Sequence, residues 1–164
     1  DFVPALIEIT ALDVPVIFSA GNNHQRAGGR PQDCDPNSVW LHKSREDVFA
    51  VATCDLEGAM WNYSSRGPGQ YYGNPGMNNK PDVTAPTPRN GSILYGDRQR
   101  IMPNGWGTSG ACPQAAGLAA LIKARNPSLS AKDVNKKIRD AAYDLGHGRN
   151  CQGAGLIDCG ATLP

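Results

Sequence analysis

Two short segments of the chain combine the residue types that an acyl-transfer site needs. Residues 18–22 (FSAGN) place Asn22 directly after an apolar run, and residues 107–113 (GTSGACP) place Ser109 just before an alanine-rich stretch. A serine hydroxyl is a weak nucleophile that needs a neighbouring base, and an amide N–H can stabilise the oxyanion formed by its attack on a carbonyl. The two segments therefore predict a nucleophile, Ser109, and an oxyanion donor, Asn22.

The glycines that flank the serine fit this chemistry. Gly107 lets the backbone turn tightly and leaves room for a substrate, and Gly110 keeps the space beside Ser109 open. A helix that starts here directs free backbone N–H groups and the positive end of its dipole towards the serine. We expect the oxyanion to accept hydrogen bonds from the Ser109 N–H and from the side-chain amide of Asn22.

Each segment also has an ordinary structural interpretation. A Gly-x-Ser before a helix is usually an N-cap, and a Gly-Asn after a strand is usually a turn. Neither segment alone predicts catalysis, and the joint pattern carries the prediction.

The elements that must position these residues alternate between strand and helix. Branched apolar runs at residues 16–18, 48–54 and 82–85 predict buried strands. Small apolar residues at helical spacing predict a helix over 109–125, and a second helix is expected from Ser130 to about residue 142. This order predicts an α/β layered domain with a mostly parallel sheet, in which ligands bind beyond the carboxyl ends of the strands.

Further segments have weaker patterns. Residues 1–12 predict a helix, and residues 61–63 and 153–157 predict short strands. Residues 64–80 and 98–107 predict loops, because they are rich in residues that favour turns.

Composition limits the class of protein. The 164 residues suffice for one compact domain, and 16 basic against 15 acidic side chains give a net charge of +1. This balance does not predict binding to nucleic acid or to an anionic membrane, and no apolar run is long enough to span a bilayer. The chain starts at Asp1 without a signal-like segment, so we expect it to be an internal part of a longer gene product.

The five cysteines leave the disulfide pattern open. No C-x-x-C pair occurs, which argues against a zinc site. Cys151 with Cys159 and Cys34 with Cys54 are the candidate disulfides, and Cys112, in the alanine-rich stretch, is expected to fill core space.

Six segments, in this order, resemble the subtilisin-like serine proteases, or subtilases. They are residues 14–22 (VPVIFSAGN), 48–53 (VFAVAT), 63–68 (YSSRGP), 80–86 (KPDVTAP), 107–109 (GTS) and 153–158 (GAGLID). Each match is modest, but the order and spacing of the six segments along almost the whole chain argue against a chance resemblance. Two positions depart from the family, which usually has Met where Gly110 stands and His where Gln114 stands.

The resemblance implies a three-layer subtilisin-like α/β fold, with residues 1–164 as the C-terminal part of one peptidase domain. It implies a serine endopeptidase acting on polypeptides, with Ser109 as nucleophile and Asn22 as oxyanion donor. Gly21, Asn23, Gly107 and Thr108 are the implied substrate-binding residues, and the loop containing Pro36 is expected to help wall the substrate pocket. A secreted or extracytoplasmic location and bound calcium follow only from family habit.

The family's catalytic Asp and His are missing from the chain. They lie upstream in subtilases, and none of His24, His42 and His147 stands where the family places its base. The chain alone is therefore expected to be inactive and to need the N-terminal part of the same domain as its partner. Two alternatives stay open: an inactive subtilase-like binding or scaffold domain, and an α/β-hydrolase-type esterase, which Ala111 at the second glycine position of G-x-S-x-G disfavours.

Overall fold

A computed structural model of the chain describes residues 2–35, 37–71, 74–87, 90–95, 98–103 and 106–163. Within these ranges, residues 71, 74–78, 90–95 and 98–103 are described by their backbone alone.

A three-stranded parallel sheet forms the centre of the structure. Its strands are β1 (Ile17–Ser19), β2 (Phe49–Cys54) and β5 (Val83–Pro86), in the order β1-β2-β5. Every residue of β2 is buried, as expected for the central strand of a parallel sheet covered on both faces. The three predicted strands at residues 16–18, 48–54 and 82–85 are thus confirmed, with small shifts at their ends.

Two helices cover one face of this sheet. They are α2 (Gly107–Arg125) and α3 (Ala131–Asp140), and a third helix, α1 (Phe2–Ala11), precedes β1. Alanines on α2 let the helix pack closely on the strands. The core that joins these layers consists of Phe49, Val51, Val83, Ala85, Ala111, Ala115, Leu118, Ala119, Ile122, Val134 and Ile138.

The ends of these helices follow the sequence signals. The Ser130 hydroxyl accepts a hydrogen bond from the Asp133 N–H at 3.1 Å, and the Asp133 carboxylate accepts one from the Ser130 N–H at 3.3 Å. This reciprocal pair is a capping box, as predicted. α2 stops at Arg125, directly before Asn126 and Pro127.

Two β-hairpins correct the loop predictions. β3 (Gly69–Tyr71) pairs with β4 (Asn74–Asn78), and β6 (Asn90–Tyr95) pairs with β7 (Arg98–Pro103), both antiparallel. The predictions of loops at 64–80 and 98–107 were wrong because each hairpin satisfies its own backbone hydrogen bonds, whatever the turn-forming composition suggests.

The short predicted strands were also wrong. Residues 61–63 lie in a turn, and within 153–157 only Leu156 makes isolated bridges, to Thr84 and Tyr143. The remaining short elements are a 3₁₀ helix (Leu41–Ser44), α4 (Arg149–Gln152) and α5 (Cys159–Thr162). None of the helices in the described part of the chain combines the length and apolarity needed to cross a bilayer.

The buried carboxylate of Asp82 ties three elements together. Its Oδ2 accepts hydrogen bonds from the Ala50 N–H of β2 at 2.7 Å and from Lys80 Nζ at 2.6 Å. Its Oδ1 pairs with the Arg139 guanidinium of α3 at 3.0 Å. A buried charge is tolerated when it is paired and hydrogen-bonded, and here the pairing fixes α3 against the sheet edge.

The disulfide joins Cys34 to Cys151 across a sequence separation of 117 residues. Both candidate pairings, Cys151–Cys159 and Cys34–Cys54, were therefore wrong. Because Cys34 and Cys151 are bonded to each other, the other two candidates remain free thiols. Cys54 ends the buried strand β2, and Cys159 is exposed at the start of α5. Cys112 is half-buried and packs against the core, as predicted.

The disulfide anchors the loop that follows Asn22 to α4. The Arg66 guanidinium donates hydrogen bonds to the carbonyls of Pro31 at 2.7 Å and Asp33 at 2.5 Å, and Asn150 donates to the Asp35 carboxylate at 2.7 Å. These contacts bring Cys34 beside α4, which sequence distance gave no reason to expect.

Reduction of this disulfide is expected to destabilise the full-length protein. Because the bond closes a loop of 117 residues, its loss lets the unfolded chain sample more conformations and lowers the free energy of unfolding by about 2–5 kcal/mol. Urea unfolding with and without reductant measures the change. The variant Cys159→Ala, which removes an exposed free thiol, is the control that should unfold like the wild type. Equal unfolding midpoints for the oxidised and reduced forms would contradict this pairing.

Candidate active site

The end of β1 meets the start of α2 through the side chain of Asn22. The Asn22 Oδ1 accepts hydrogen bonds from the Thr108 N–H at 3.1 Å and from the Thr108 hydroxyl at 3.0 Å. The Gly21 N–H in turn donates to the Thr108 hydroxyl oxygen at 3.2 Å. The structure thus brings together the two segments that the sequence singled out.

These hydrogen bonds fix the orientation of the Asn22 amide. Since Oδ1 accepts both bonds from Thr108, the nitrogen Nδ2 is the end that remains to donate, and it has no acceptor among the described residues. Asn22 and Ser109 are both exposed. The arrangement presents an amide donor next to a serine that an outside molecule can reach.

Close approach of the two segments depends on Gly107. Its φ of +56° lies in the left-handed region, and a Cβ at this position would lie 2.5 Å from the Asn22 Nδ2. A side chain here would therefore push the amide away, which explains why a glycine precedes Thr108.

Ser109 lies within the first turn of α2 rather than at its cap. The N-cap position is Trp106, which makes no side-chain capping bond, and the Gly110 N–H already donates to the Trp106 carbonyl at 3.0 Å. The N-cap interpretation of Gly-x-Ser is therefore wrong for Ser109, and its hydroxyl is not used to hold the helix start.

None of the three histidines contacts Ser109 among the described residues. His42 packs edge-on against the rings of Phe2 and Phe18, and His147 forms a hydrogen bond with the Gly58 carbonyl at 3.1 Å. His24 is buried in the loop after Asn22. The described part of the chain thus holds the serine and the amide without a base beside them.

The position of His24 is set by its ring contacts. Its Nε2 donates to the Arg30 carbonyl at 2.6 Å, while Nδ1 is buried with no hydrogen-bond partner among the described residues, and the ring leaves no space for a Cβ on Gly29. Burial lowers the pKa of His24, and the positive charge of Arg66 acts in the same direction. The imidazole is therefore held in its neutral form.

Three polar groups converge on Gly21, the residue before Asn22. The atoms nearest to an added Cβ at Gly21 are Asn23 Nδ2 at 2.9 Å, Ser65 Oγ at 2.9 Å and Lys43 Nζ at 3.3 Å. The Ser65 hydroxyl oxygen accepts a hydrogen bond from the Asn23 N–H at 3.1 Å. Neither Ser65 nor Lys43 was predicted from the sequence as a site residue. Ser65 lies in the YSSRGP segment, which could have indicated a role, whereas Lys43 stands in no motif.

Two further features were expected from the family: a pocket wall at Pro36 and bound calcium. Pro36, expected to wall the substrate pocket, lies outside the described residues. For the calcium expected from the family, no group of three or more His, Cys, Asp or Glu side chains in the described ranges is arranged to hold a metal ion.

Replacement of Gly107 by alanine is expected to disturb the site and the fold together. The variant Gly107→Ala adds a Cβ 2.5 Å from Asn22 Nδ2 at a left-handed φ, so the free energy of unfolding should fall by at least about 1–2 kcal/mol. The matched control is Gly117→Ala in the same helix, where an added Cβ meets nothing within 4 Å, and it should be neutral or stabilising. Urea unfolding of both variants measures the difference, and equal effects would contradict the close approach at Gly107.

Acid is expected to destabilise the protein through His24. Its pKa is lowered in the folded state, so the unfolded chain binds more protons once the pH falls below the ordinary histidine value of about 6.5. Stability is therefore intact above that pH and is lost as the pH falls below it. Thermal unfolding at about pH 7.5 and pH 5.5 should show a smaller acid loss for His24→Gln than for the wild type; an equal loss would contradict the assignment.

Sequence comparison shows that this chain is similar to known proteases. A family model described as the Subtilase family matches residues 5–155. A calcium-dependent protease from Nostoc sp. (strain PCC 7120) is 34% identical over 152 residues, which is 84% of this chain and 22% of the relative. Alkaline elastase YaB from Bacillus sp. (strain YaB) is 27% identical over 158 residues, which is 96% of this chain and 35% of the relative. The chain thus spans well under half the length of these two relatives.

Solved protease structures share the fold. A protease structure from Pseudoalteromonas arctica PAMC 21717 superposes with a TM-score of 0.68 at 20% identity, covering 94% of this chain and 43% of the other. The patellamide maturation protease PatA gives a TM-score of 0.68 at 20% identity, covering 98% and 54%. The expected α/β subtilisin-like fold is confirmed. With the match to the family model over residues 5–155, the chain belongs to the subtilase family.

Proposed function

We propose that the full-length protein is a serine endopeptidase in which Ser109 attacks the carbonyl carbon of a peptide bond. The observation that supports this most is the pairing of Asn22 with Thr108, which turns the amide nitrogen of Asn22 outward next to the exposed Ser109. Family membership supports the same reaction class.

The proposed reaction has two acyl-transfer steps. The Ser109 hydroxyl loses its proton to a histidine base and attacks the carbonyl, and the resulting oxyanion accepts hydrogen bonds from the Ser109 N–H and from Asn22 Nδ2. The intermediate expels the amine, which takes the proton from the histidine. Water, activated by the same base, then hydrolyses the acyl-enzyme and frees Ser109.

The base and its orienting carboxylate must come from outside these residues. We propose that residues 1–164 are the C-terminal part of one peptidase domain whose N-terminal part supplies Asp and His. The partial coverage of the relatives agrees with this, since the chain spans 22% of the Nostoc protein and 35% of the elastase.

The substrate is proposed to be a polypeptide that lies along the end of β1 and the start of α2. Of the four residues implied as substrate-binding, Asn23 is partly exposed and would contact it, whereas Gly21, Gly107 and Thr108 are buried and would shape the site from behind. Gly107 allows the close approach to Asn22, and Thr108 holds the Asn22 amide in the donating orientation.

A secreted or extracytoplasmic location is proposed on two grounds. One relative, from Natrialba magadii, is named a halolysin-like extracellular serine protease. The Cys34–Cys151 disulfide fits an oxidising compartment. The Nostoc relative is named calcium-dependent, which supports bound calcium in the full-length protein, and we assign no calcium ligand among the described residues.

Covalent labelling tests the proposal. A fluorophosphonate probe should label the full-length protein at Ser109, and Ser109→Ala should abolish labelling and peptide hydrolysis. Asn22→Ala should lower kcat by about 10²–10³, the effect that loss of one oxyanion donor has in subtilisin itself. The control Asn62→Ala changes an exposed asparagine in a turn and should leave kcat unchanged. A full-length protein with intact upstream Asp and His that does not label would contradict the proposal and favour an inactive binding domain.

A further inference from the structure

A half-buried lysine lies beside the residue that precedes Asn22. Lys43 belongs to the 3₁₀ helix, and its Nζ lies 3.3 Å from the position that a Cβ on Gly21 would occupy. Consecutive Cα atoms are about 3.8 Å apart, so the ammonium group stands one residue away from the proposed oxyanion donor.

Lys43 has no counterion among the residues that the structure describes. It forms no salt bridge or hydrogen bond with any of them, and burial lowers its pKa. A cation withdrawn from water without a partner is unfavourable, because its lost hydration is not replaced. An anionic ligand bound beside Lys43 would supply the missing counterion.

A second donor, the Asn23 amide, accompanies the ammonium group. Asn23 Nδ2 lies 2.9 Å from the same Cβ position on Gly21, and Asn23 is partly exposed. The buried Ser65 hydroxyl oxygen accepts a hydrogen bond from the Asn23 N–H at 3.1 Å and so holds Asn23 in place. A carboxylate has two oxygens with about four acceptor sites, so one carboxylate can accept from both the ammonium group and the amide.

Gly21 is what allows this convergence. Its φ of +112° is rarely adopted by other residues, and any side chain there would collide with the Asn23 and Ser65 atoms at 2.9 Å. Lys43 and Asn23 therefore lie directly against the Gly21 backbone, one residue before Asn22.

We propose that Lys43, with Asn23, selects substrates that carry glutamate or aspartate at the residue whose carbonyl Ser109 attacks. This inference rests on the proposed function and adds to it the chemical class of the preferred substrate. The acidic side chain of that residue binds beside Gly21 and pairs with the Lys43 ammonium group. The backbone carbonyl oxygen of the same residue points towards Asn22 Nδ2. A neutral side chain at the same position leaves the ammonium group unpaired.

Two peptides that differ only in Glu or Gln at that residue provide the test. The full-length protein is expected to cleave the Glu peptide with a kcat/KM about 10-fold to 100-fold higher than the Gln peptide, the range for a hydrogen-bonded charged pair. Added salt should reduce this ratio by screening the half-exposed pair. Lys43→Met should bring the ratio close to one, because the ammonium group that distinguishes the two peptides is gone.

Charge and position are separated by control variants. Lys43→Arg keeps the charge and should retain a preference for Glu, whereas Lys43→Glu should favour a peptide with Lys at that residue. Lys137→Met makes the same change at an exposed site on α3 and should keep the wild-type ratio. Labelling of Ser109 by the fluorophosphonate probe, which carries no acidic side chain, shows that each variant is folded and active.

The outcomes distinguish the two proposals. A wild-type protein that labels and cleaves but treats the Glu and Gln peptides alike would overturn the role of Lys43, and the proposed function would stand. An unchanged ratio in Lys43→Met would overturn it in the same way. A full-length protein that neither labels nor cleaves any peptide would overturn the proposed function and this inference with it.

Discussion

The hydrogen bonds between Asn22 and Thr108 join the end of a strand to the start of a helix, and the rest of the site depends on them. They set which end of the Asn22 amide faces outward, and they hold the first turn of α2 at the carboxyl edge of the sheet. Gly21 and Gly107 both have positive φ angles, which L side chains rarely adopt. Asn22 and Thr108 can approach to hydrogen-bonding distance because neither Gly21 nor Gly107 carries a side chain.

The layers around this contact are held by charge as well as by packing. The Asp82 carboxylate connects β2, Lys80 and α3, and the Cys34–Cys151 disulfide connects the loop after Asn22 to α4. Both lie outside the proposed chemistry. A site whose geometry must hold to fractions of an ångström benefits from such supports, because Asn22 and Ser109 are themselves exposed.

Local patterns predicted the central elements, and distant pairings were not predicted. β2 and α2 carry periodic apolar residues, so their existence follows from the sequence, as does the capping box at Ser130. The hairpins and the disulfide depend on partners brought together by the rest of the fold, and Cys34 lies 117 residues from Cys151. For the site, Asn22 and Ser109 stood in recognisable segments. Lys43 did not, because its only signal is a position in space beside Gly21.

The two most deeply buried cations among the described residues have partners inside the fold, and Lys43 does not. Lys80 pairs with the Asp82 carboxylate at 2.6 Å, so its charge is neutralised inside the fold. Arg66 is 1% exposed, but it donates to two backbone carbonyls and thereby secures the loop after Asn22. Lys43 has neither a carboxylate nor a carbonyl as a partner among the described residues, and it is half-buried. Withdrawing a charge from water without a partner is unfavourable. A compensating interaction must then come from outside these residues, and a substrate side chain bound beside Gly21 would supply it.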